Sequence, residues 1–220
     1  MDFILFKKVF IIKKEERVSC YSHFIGFILA IIGTIHLIFI TDSLIFKIII
    51  IIYGLSVMTL FLTSSLYHAN KKYDDEISIW RKLDHIAIFL MIAGTYTPVS
   101  YVYLSGYWKW GIIIAQWLLV LGGLFFKFFY LNVPRWLYTT IYVLMGWMGI
   151  LPIAKLIKSM PASALMLLLA GGVSYTIGAV FYIIKKPKIN SNFGFHEIFH
   201  LFILLGALFH YLLIYTAVVR

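Results

Sequence analysis

The chain has 220 residues, of which 62% are hydrophobic and only 13% are charged, and its mean hydropathy is +0.95. This composition excludes an ordinary soluble domain and indicates a protein surrounded by lipid. A single cysteine excludes an intramolecular disulfide bond. The formal net charge of +10 would also suit a nucleic-acid-binding protein. However, the basic residues lie in short connections between apolar segments, so we expect membrane lipids as partners and no nucleic acid.

Seven uncharged runs of 17 to 26 residues lie between successive charged residues. About 20 apolar residues in a helix cross a hydrocarbon core of roughly 30 Å, whereas the strands of membrane barrels are alternating segments of about 10 residues. We therefore predict an all-α fold, a single domain over residues 1–220 that forms a seven-transmembrane-helix bundle. The predicted spans are about 18–41, 46–68, 84–106, 109–127, 136–155, 161–184 and 196–218.

The basic residues are distributed unevenly between the two sides of these spans. Fourteen of the 19 lie in the tail 1–17 or in the connections after the second, fourth and sixth spans. Because basic connections stay in the cytoplasm, we predict a cytoplasmic N-terminus and a C-terminus outside. We interpret most of the cations as solvated anchors near lipid headgroups rather than as a site for an anionic ligand. Pro98, Pro152 and Pro161 are expected at helix bends or ends.

Five polar residues fall at one depth, near the cytoplasmic ends of three predicted spans. His196 and His200 begin the last span, and their i, i+4 spacing places both rings on one helix face. Ser64 and His68 end the second span with the same spacing, and Asp84 begins the third. Three neutral imidazoles and a water molecule would form a tetrahedral zinc site with an open position. Asp84 could orient or deprotonate that water.

Simpler explanations exist for several of these polar residues. A lone histidine near a helix end is usually a hydrogen-bonding residue, which is our interpretation of His23, His36, His85 and His210. Asp84 could instead be an N-cap that complements the helix dipole.

The segment 196–200 also matches H-E-x-x-H, the zinc-protease signature in which the glutamate is the general base. Glu197 lies about 100° around a helix from His196, so it can approach a metal bound by the histidines only in particular settings. At the membrane boundary it could instead face water or pair with a lysine of the segment 185–188. We therefore rank peptide hydrolysis below a zinc site of three histidines.

Four short motifs occur in order on the second, third and seventh predicted spans. They are SSLYH at 64–68, LDH at 83–85, AGTYTP at 93–98 and HEIFH at 196–200. Together they resemble the hemolysin III branch of the progestin and adipoQ receptor family, and the resemblance extends over nearly the whole chain.

This resemblance implies a seven-helix fold with a cytoplasmic N-terminus. It also implies a zinc ion near the inner leaflet held by His68, His196 and His200, with Asp84 reaching the zinc through water and Ser64 beside the site. Adiponectin receptors carry a Gln at the position of Glu197, so the resemblance implies that this Glu is dispensable.

One departure from the family lies near the start of the first span. The bacterial members usually have an acidic residue, an Asn and a His there, whereas this chain has Glu16, Ser19 and His23.

Three functional hypotheses follow for a multi-pass protein of a bacterial plasma membrane. The first is a zinc-dependent lipid amide or ester hydrolase, because zinc lowers the pKa of bound water to about 7 and polarises carbonyls, and because the family is similar to alkaline ceramidases in its Ser, Asp and His pattern. Asp84 and Ser64 would then be the catalytic residues. The second is a non-catalytic lipid-sensing protein with structural zinc, and the resemblance implies a role in membrane-lipid homeostasis. The third, a pore-forming cytolysin, follows from the family name alone.

Overall fold

The computed structural model describes residues 12–73, 76, 78–129 and 134–219, and all of its long elements are helices. The all-α fold class is therefore confirmed. Within the described ranges, β-pairing is limited to an isolated bridge between Lys188 and Gly194. A short 3-10 helix at Lys14–Glu16 leads into the first α-helix. The helices are α1 (Arg17–Phe39), α2 (Leu44–Asn70), α3 (Ile79–Tyr103), α4 (Gly106–Phe129), α5 (Arg135–Gly146), α6 (Ile153–Ser159), α7 (Ala162–Ile184) and α8 (Phe195–Val218).

Six of these helices, α1 to α4 with α7 and α8, are long and apolar enough to cross a membrane. The chain is therefore a multi-pass membrane protein. The predicted span 136–155 is bent rather than straight, because α5 and α6 differ in direction by 54°. Pro152 immediately precedes α6 and has no N–H to continue the hydrogen-bond ladder from α5. Seven spans result if the bent pair is one span, so that number stays a prediction.

The other two prolines behave differently from each other. Pro161 directly precedes α7, as expected for a residue at a helix end. Pro98 lies inside α3, so the helix does not end at this residue.

The helices pack in chain order at the beginning and the end of the bundle. α1 contacts α2, α2 contacts α3, α3 contacts α4, and α7 contacts α8. α8 also packs against α1 and α3, which brings the last helix beside the first. The close approach of α1 and α2 requires glycine at position 54, where a Cβ atom would lie 2.3 Å from Oγ1 of Thr34. This arrangement brings the start of α8 next to the end of α2.

The start of α3 shows whether Asp84 is the N-cap of this helix. The hydroxyl of Ser78 accepts a hydrogen bond from the backbone N–H of Arg81 at 3.3 Å, so Ser78 is the N-cap of α3. Asp84 lies more than one turn inside the helix. Its interpretation as the N-cap is therefore wrong.

Some of the basic residues on which the predicted topology rests lie outside the described residues. Positions 1–11 of the basic tail, which include Lys7 and Lys8, and also Arg220 fall outside them. The orientation of the two termini stays a prediction.

Candidate metal centre

Three histidines from two helices meet at the cytoplasmic end predicted for the bundle. Nε2 of His196 lies 3.3 Å from Nε2 of His68 and 3.2 Å from Nε2 of His200. One ligand atom from each of the three residues lies within 4.8 Å of the other two. His68 and His200 are each only 2% exposed. The fold thus brings together the three histidines that were expected to bind zinc.

The donor set fits a zinc ion, and two of its three nitrogen–nitrogen distances match the dimensions of a zinc site. Two nitrogens bound at about 2.1 Å in a tetrahedron are about 3.4 Å apart, close to both distances that His196 makes. Imidazole suits zinc and other late divalent metals, and three protein ligands leave a fourth position for a small molecule. The three residues can therefore hold a metal ion with one open position.

A carboxylate fixes the orientation of the His68 ring. Oε2 of Glu16 lies 2.6 Å from Nδ1 of His68, and Oε1 of Glu16 accepts a hydrogen bond from the Lys71 ammonium at 2.6 Å. Because a carboxylate only accepts hydrogen bonds, Nδ1 of His68 is the donor. The lone pair of His68 then resides on Nε2, the atom that faces His196. Glu16 thereby prepares His68 to be a metal ligand.

A second carboxylate holds the first turn of α8. Oε2 of Glu197 accepts a hydrogen bond from the backbone N–H of Gly194 at 2.8 Å, and Oε1 accepts one from the Ser19 hydroxyl at 3.2 Å. The side chain is buried, so the expectation that it faces water or pairs with a lysine of 185–188 is wrong. Glu197 caps the helix that carries two of the histidines and ties that helix to α1.

Ser64 and Asp84 form a neighbouring pair on α2 and α3. The Ser64 hydroxyl is placed to donate a hydrogen bond to the Asp84 carboxylate, and His68 is close enough to act on that carboxylate electrostatically. Ser64 and Asp84 both line the cavity into which His196 and His200 also face. These two residues are therefore beside the histidine cluster but separate from its ligand atoms.

Three of the remaining histidines are hydrogen-bonding residues, as their isolated positions predicted. Nδ1 of His36 lies 2.7 Å from the Tyr211 hydroxyl. Nδ1 of His85 lies 2.6 Å from the Arg81 carbonyl oxygen. The third, His210, has its Nε2 3.4 Å from the carbonyl oxygen of residue 168.

His23 differs from those three because it belongs to the surroundings of the site. Its ring lies 3.9 Å from that of His200, measured between centroids. Sequence reasoning treated His23 as an isolated hydrogen-bonding residue and gave Glu16 and Ser19 no specific role. Their spacing of i, i+3 and i+7 was an available signal, because it places all three on one helix face.

A cavity of about 920 Å³ adjoins the cluster. Its mouth lies among exposed residues of the α7–α8 connection, including Ser191 and Asn192. From His196 it extends along α8 as far as His210, which is about 21 Å at a helical rise of about 1.5 Å per residue. The deeper lining is largely aromatic and aliphatic, for example Ile92. The cavity can accept a long apolar chain whose polar end lies near the histidines.

Comparisons with known proteins agree with these features. A family model described as Haemolysin-III related matches residues 11–211. Over 201 residues the chain is 37% identical to Hemolysin-3 of Bacillus cereus, covering 88% of this chain and 87% of that protein. It is 35% identical over 203 residues to a Hemolysin-3 homolog of Bacillus subtilis, with 88% and 90% covered. Human monocyte to macrophage differentiation factor is 27% identical over 223 residues, with 94% and 85% covered.

Proposed function

The chain belongs to the haemolysin III branch of the progestin and adipoQ receptor family, and on that premise we propose that it binds zinc and acts on a membrane lipid. His68, His196 and His200 hold the metal. The observation that carries the proposal is the convergence of their three Nε2 atoms beside a cavity that continues about 21 Å into the bundle. Through this action on a lipid, the protein serves membrane-lipid homeostasis.

The reaction that suits these residues is hydrolysis of a lipid amide or ester. A bound zinc ion supplies Lewis acidity toward a carbonyl group. Asp84 takes up at its carboxylate the proton lost by the attacking water and returns it to the leaving amine or alcohol, and Ser64 orients that carboxylate through the hydrogen bond between them.

The deeper part of the cavity supports a lipid as the substrate. Ile88 and Ile92 of α3 line one wall, and Phe199 and Ile203 of α8 line another. Such a wall favours an acyl chain, whose burial contributes about 0.8 kcal/mol for each methylene group. The scissile group then lies near the polar end, at the depth of the histidines.

We place the protein in a bacterial plasma membrane, with the N-terminus and the metal centre on the cytoplasmic side. The support is the excess of basic residues in the connections on that side, such as Lys71, Lys72, Lys185 and Lys186. The bacterial relatives support the cell type.

Metal analysis of the purified protein tests the proposal. The variant His196→Ala/His200→Ala removes two ligands, so we expect zinc near one equivalent in the wild type and close to none in the variant. The control His36→Ala removes a histidine of α1 that bonds Tyr211 far from the cluster, and it should keep its zinc. Equal zinc in the wild type and the double variant would contradict the site. Relative to cells without the protein, cells expressing a form that retains zinc should have a changed lipid profile, and cells expressing the double variant should not.

A second candidate function is a lipid-sensing protein in which zinc is purely structural. One observation favours it: the cluster joins α2 to α8 and, through Glu16, to the segment before α1. Loss of zinc in the double variant without any change in lipid profile would select this candidate. The cytolytic alternative comes from the names of the relatives, and we do not extend it to this chain.

A further inference from the structure

The far end of the cavity is lined by large rings from three parts of the bundle. Tyr96 of α3, Trp147 directly after α5 and His210 of α8 all line it, and we call these three residues the floor. Asp84 and Tyr96 lie twelve residues apart on α3, which is about 18 Å at a helical rise of about 1.5 Å per residue. The floor is therefore far from the histidine cluster and deep in the bundle.

Hydrogen bonds within the protein hold two rings of the floor in place. The Tyr96 hydroxyl donates to the carbonyl oxygen of Gly146 at 2.7 Å and accepts from the backbone N–H of Gly149 at 2.7 Å. Nε1 of Trp147 donates to the Thr176 hydroxyl at 2.9 Å. Because these polar atoms already have partners, the ring carbons are what remain to contact a ligand.

The third ring, that of His210, is held by the facing helix α7. Its Nε2 lies 3.4 Å from the carbonyl oxygen of Leu168. A Cβ atom at Gly171 would overlap the ring, so the ring occupies the space that this glycine leaves free. The ring centroid also lies 5.3 Å from that of Tyr175, in an edge contact. His210 therefore cannot move aside without disturbing the packing of α7 on α8.

Fully buried residues close the cavity beyond the floor. Leu213 and Ile214, about one turn after His210 on α8, are both 0% exposed. Ser100, one turn after Tyr96 on α3, is also buried. None of these three residues lines the cavity. Since a residue beside open space would have exposed area, the cavity ends at the floor.

The depth of the cavity corresponds to the length of an acyl chain. Along α8 the distance to His210 is about 15 Å from His200 and about 21 Å from His196. An extended chain advances about 1.25 Å per carbon, because its single bonds of about 1.5 Å meet at tetrahedral angles. A chain whose polar end lies at the histidines therefore reaches the floor after about 12 to 17 carbons.

We propose that the floor limits the acyl chain of the bound lipid to about 16 carbons. A longer chain fits only if its polar end withdraws from the histidines. A shorter chain buries less apolar surface and loses about fourfold in affinity for each missing methylene group. This inference rests on the proposed function and narrows its substrate from lipids in general to lipids with acyl chains of about this length.

Two variants should move the limit in opposite directions. His210→Ala removes a ring of the floor and deepens the cavity. Gly172→Leu adds a side chain beside Trp147, where a Cβ atom would lie 3.9 Å from the ring and therefore fits. The matched controls are His36→Ala, which removes a histidine bonded to a tyrosine outside the cavity, and Gly122→Leu, at an exposed position of α4 with open space around it.

The test measures fatty-acid binding to the purified full-length proteins rather than turnover. Each protein is incubated with an equimolar mixture of lauric, myristic, palmitic, stearic and arachidic acids, and native mass spectrometry gives the amount of each that is bound. Variants and wild type are compared in the same detergent, so the unequal partitioning of the acids into micelles cancels.

In the wild type we expect binding to increase with chain length up to palmitic acid and not beyond it. Gly172→Leu should lower the ratio of bound palmitic to bound myristic acid at least about fourfold, the factor for one methylene group. His210→Ala should raise the ratio of stearic to palmitic acid by a similar factor. His36→Ala and Gly122→Leu should keep the ratios of the wild type.

Unchanged ratios in either folded variant of the cavity would overturn the proposal. An equal loss of all five acids would also overturn it, because the residues would then support folding without selecting a chain length. Thermal unfolding reports whether His210→Ala is folded, and if it is not, Gly172→Leu carries the comparison.

The same comparison is made in His196→Ala/His200→Ala with and without Gly172→Leu. A shift to shorter acids there leaves this inference standing even if the proposed zinc function fails. Unchanged ratios in a Gly172→Leu protein that retains zinc contradict this inference alone.

Discussion

The carboxylate of Glu16 accepts a hydrogen bond from Nδ1 of His68 at 2.6 Å, across 52 positions of sequence. The bond places the His68 lone pair on Nε2, toward His196. Lys71 donates to the same carboxylate and keeps it charged. The proposed metal centre therefore depends on a residue that contributes no ligand atom.

Replacing Glu16 by Gln should weaken zinc binding by about tenfold, because a neutral amide no longer holds His68 as firmly in its ligand tautomer. Competition with a calibrated chelator measures the change. Glu15→Gln is the matched control, since the neighbouring side chain is exposed, and its zinc affinity should equal that of the wild type. An unchanged affinity in Glu16→Gln would show that the carboxylate does not orient the ligand.

Replacing Asp84 by Asn should leave zinc content unchanged and reduce lipid turnover by about a hundredfold, because the amide cannot take up a proton. Lipid profiles and product release in cells measure turnover. Asp42→Asn removes an exposed carboxylate before α2, and it should change neither quantity. Full turnover in Asp84→Asn would remove the proposed base from the reaction.

Replacing Glu197 by Gln should preserve both zinc content and turnover. The amide oxygen keeps one of the two hydrogen bonds, to Gly194 or to Ser19, and weaker capping costs about 1 kcal/mol of stability. Thermal unfolding measures that cost. Loss of turnover with full zinc would instead favour the H-E-x-x-H interpretation, in which this glutamate is the base.

The orientation of the bundle can be tested with introduced thiols. Cys20, the sole cysteine of the sequence, is buried, so Cys20→Ala gives a background without thiols. Ser105→Cys adds a thiol to the α3–α4 connection and Ser191→Cys adds one to the α7–α8 connection, both at exposed positions. A membrane-impermeant maleimide should label the first in intact cells and the second only after permeabilisation. The opposite pattern would invert the proposed topology.

Uncharged runs predicted the long helices well, because a segment surrounded by lipid must have apolar side chains and must satisfy its backbone hydrogen bonds within a helix. Hydropathy did not predict the 54° change of direction between α5 and α6. The apolar run continues through the 3-10 helix Met148–Ile150 and the break that follows it, and only Pro152 marked that break in the sequence. A bend depends on local backbone bonding, to which hydropathy is insensitive.

The histidine cluster was predictable because helical spacing paired His196 with His200 and charge placed His68 at the same depth. The bond from His68 to Glu16 was not, because the two residues lie 52 positions apart and helical spacing relates Glu16 only to Ser19 and His23. The burial of Lys127 was not predictable either. Its burial under Tyr138 depends on how α5 packs, and a count of charges contains no such information.

The contact between Ser19 and Glu197 joins residues 178 positions apart, on the first and last helices. Synthesis begins at the N-terminus, so His68 enters the membrane long before its two partner ligands on α8 exist. Under the proposed function, zinc can be acquired only after α8 has inserted and docked against α1. Zinc occupancy would then be a marker of completed biogenesis, because a chain interrupted before α8 lacks both the Ser19–Glu197 contact and two of the three histidines.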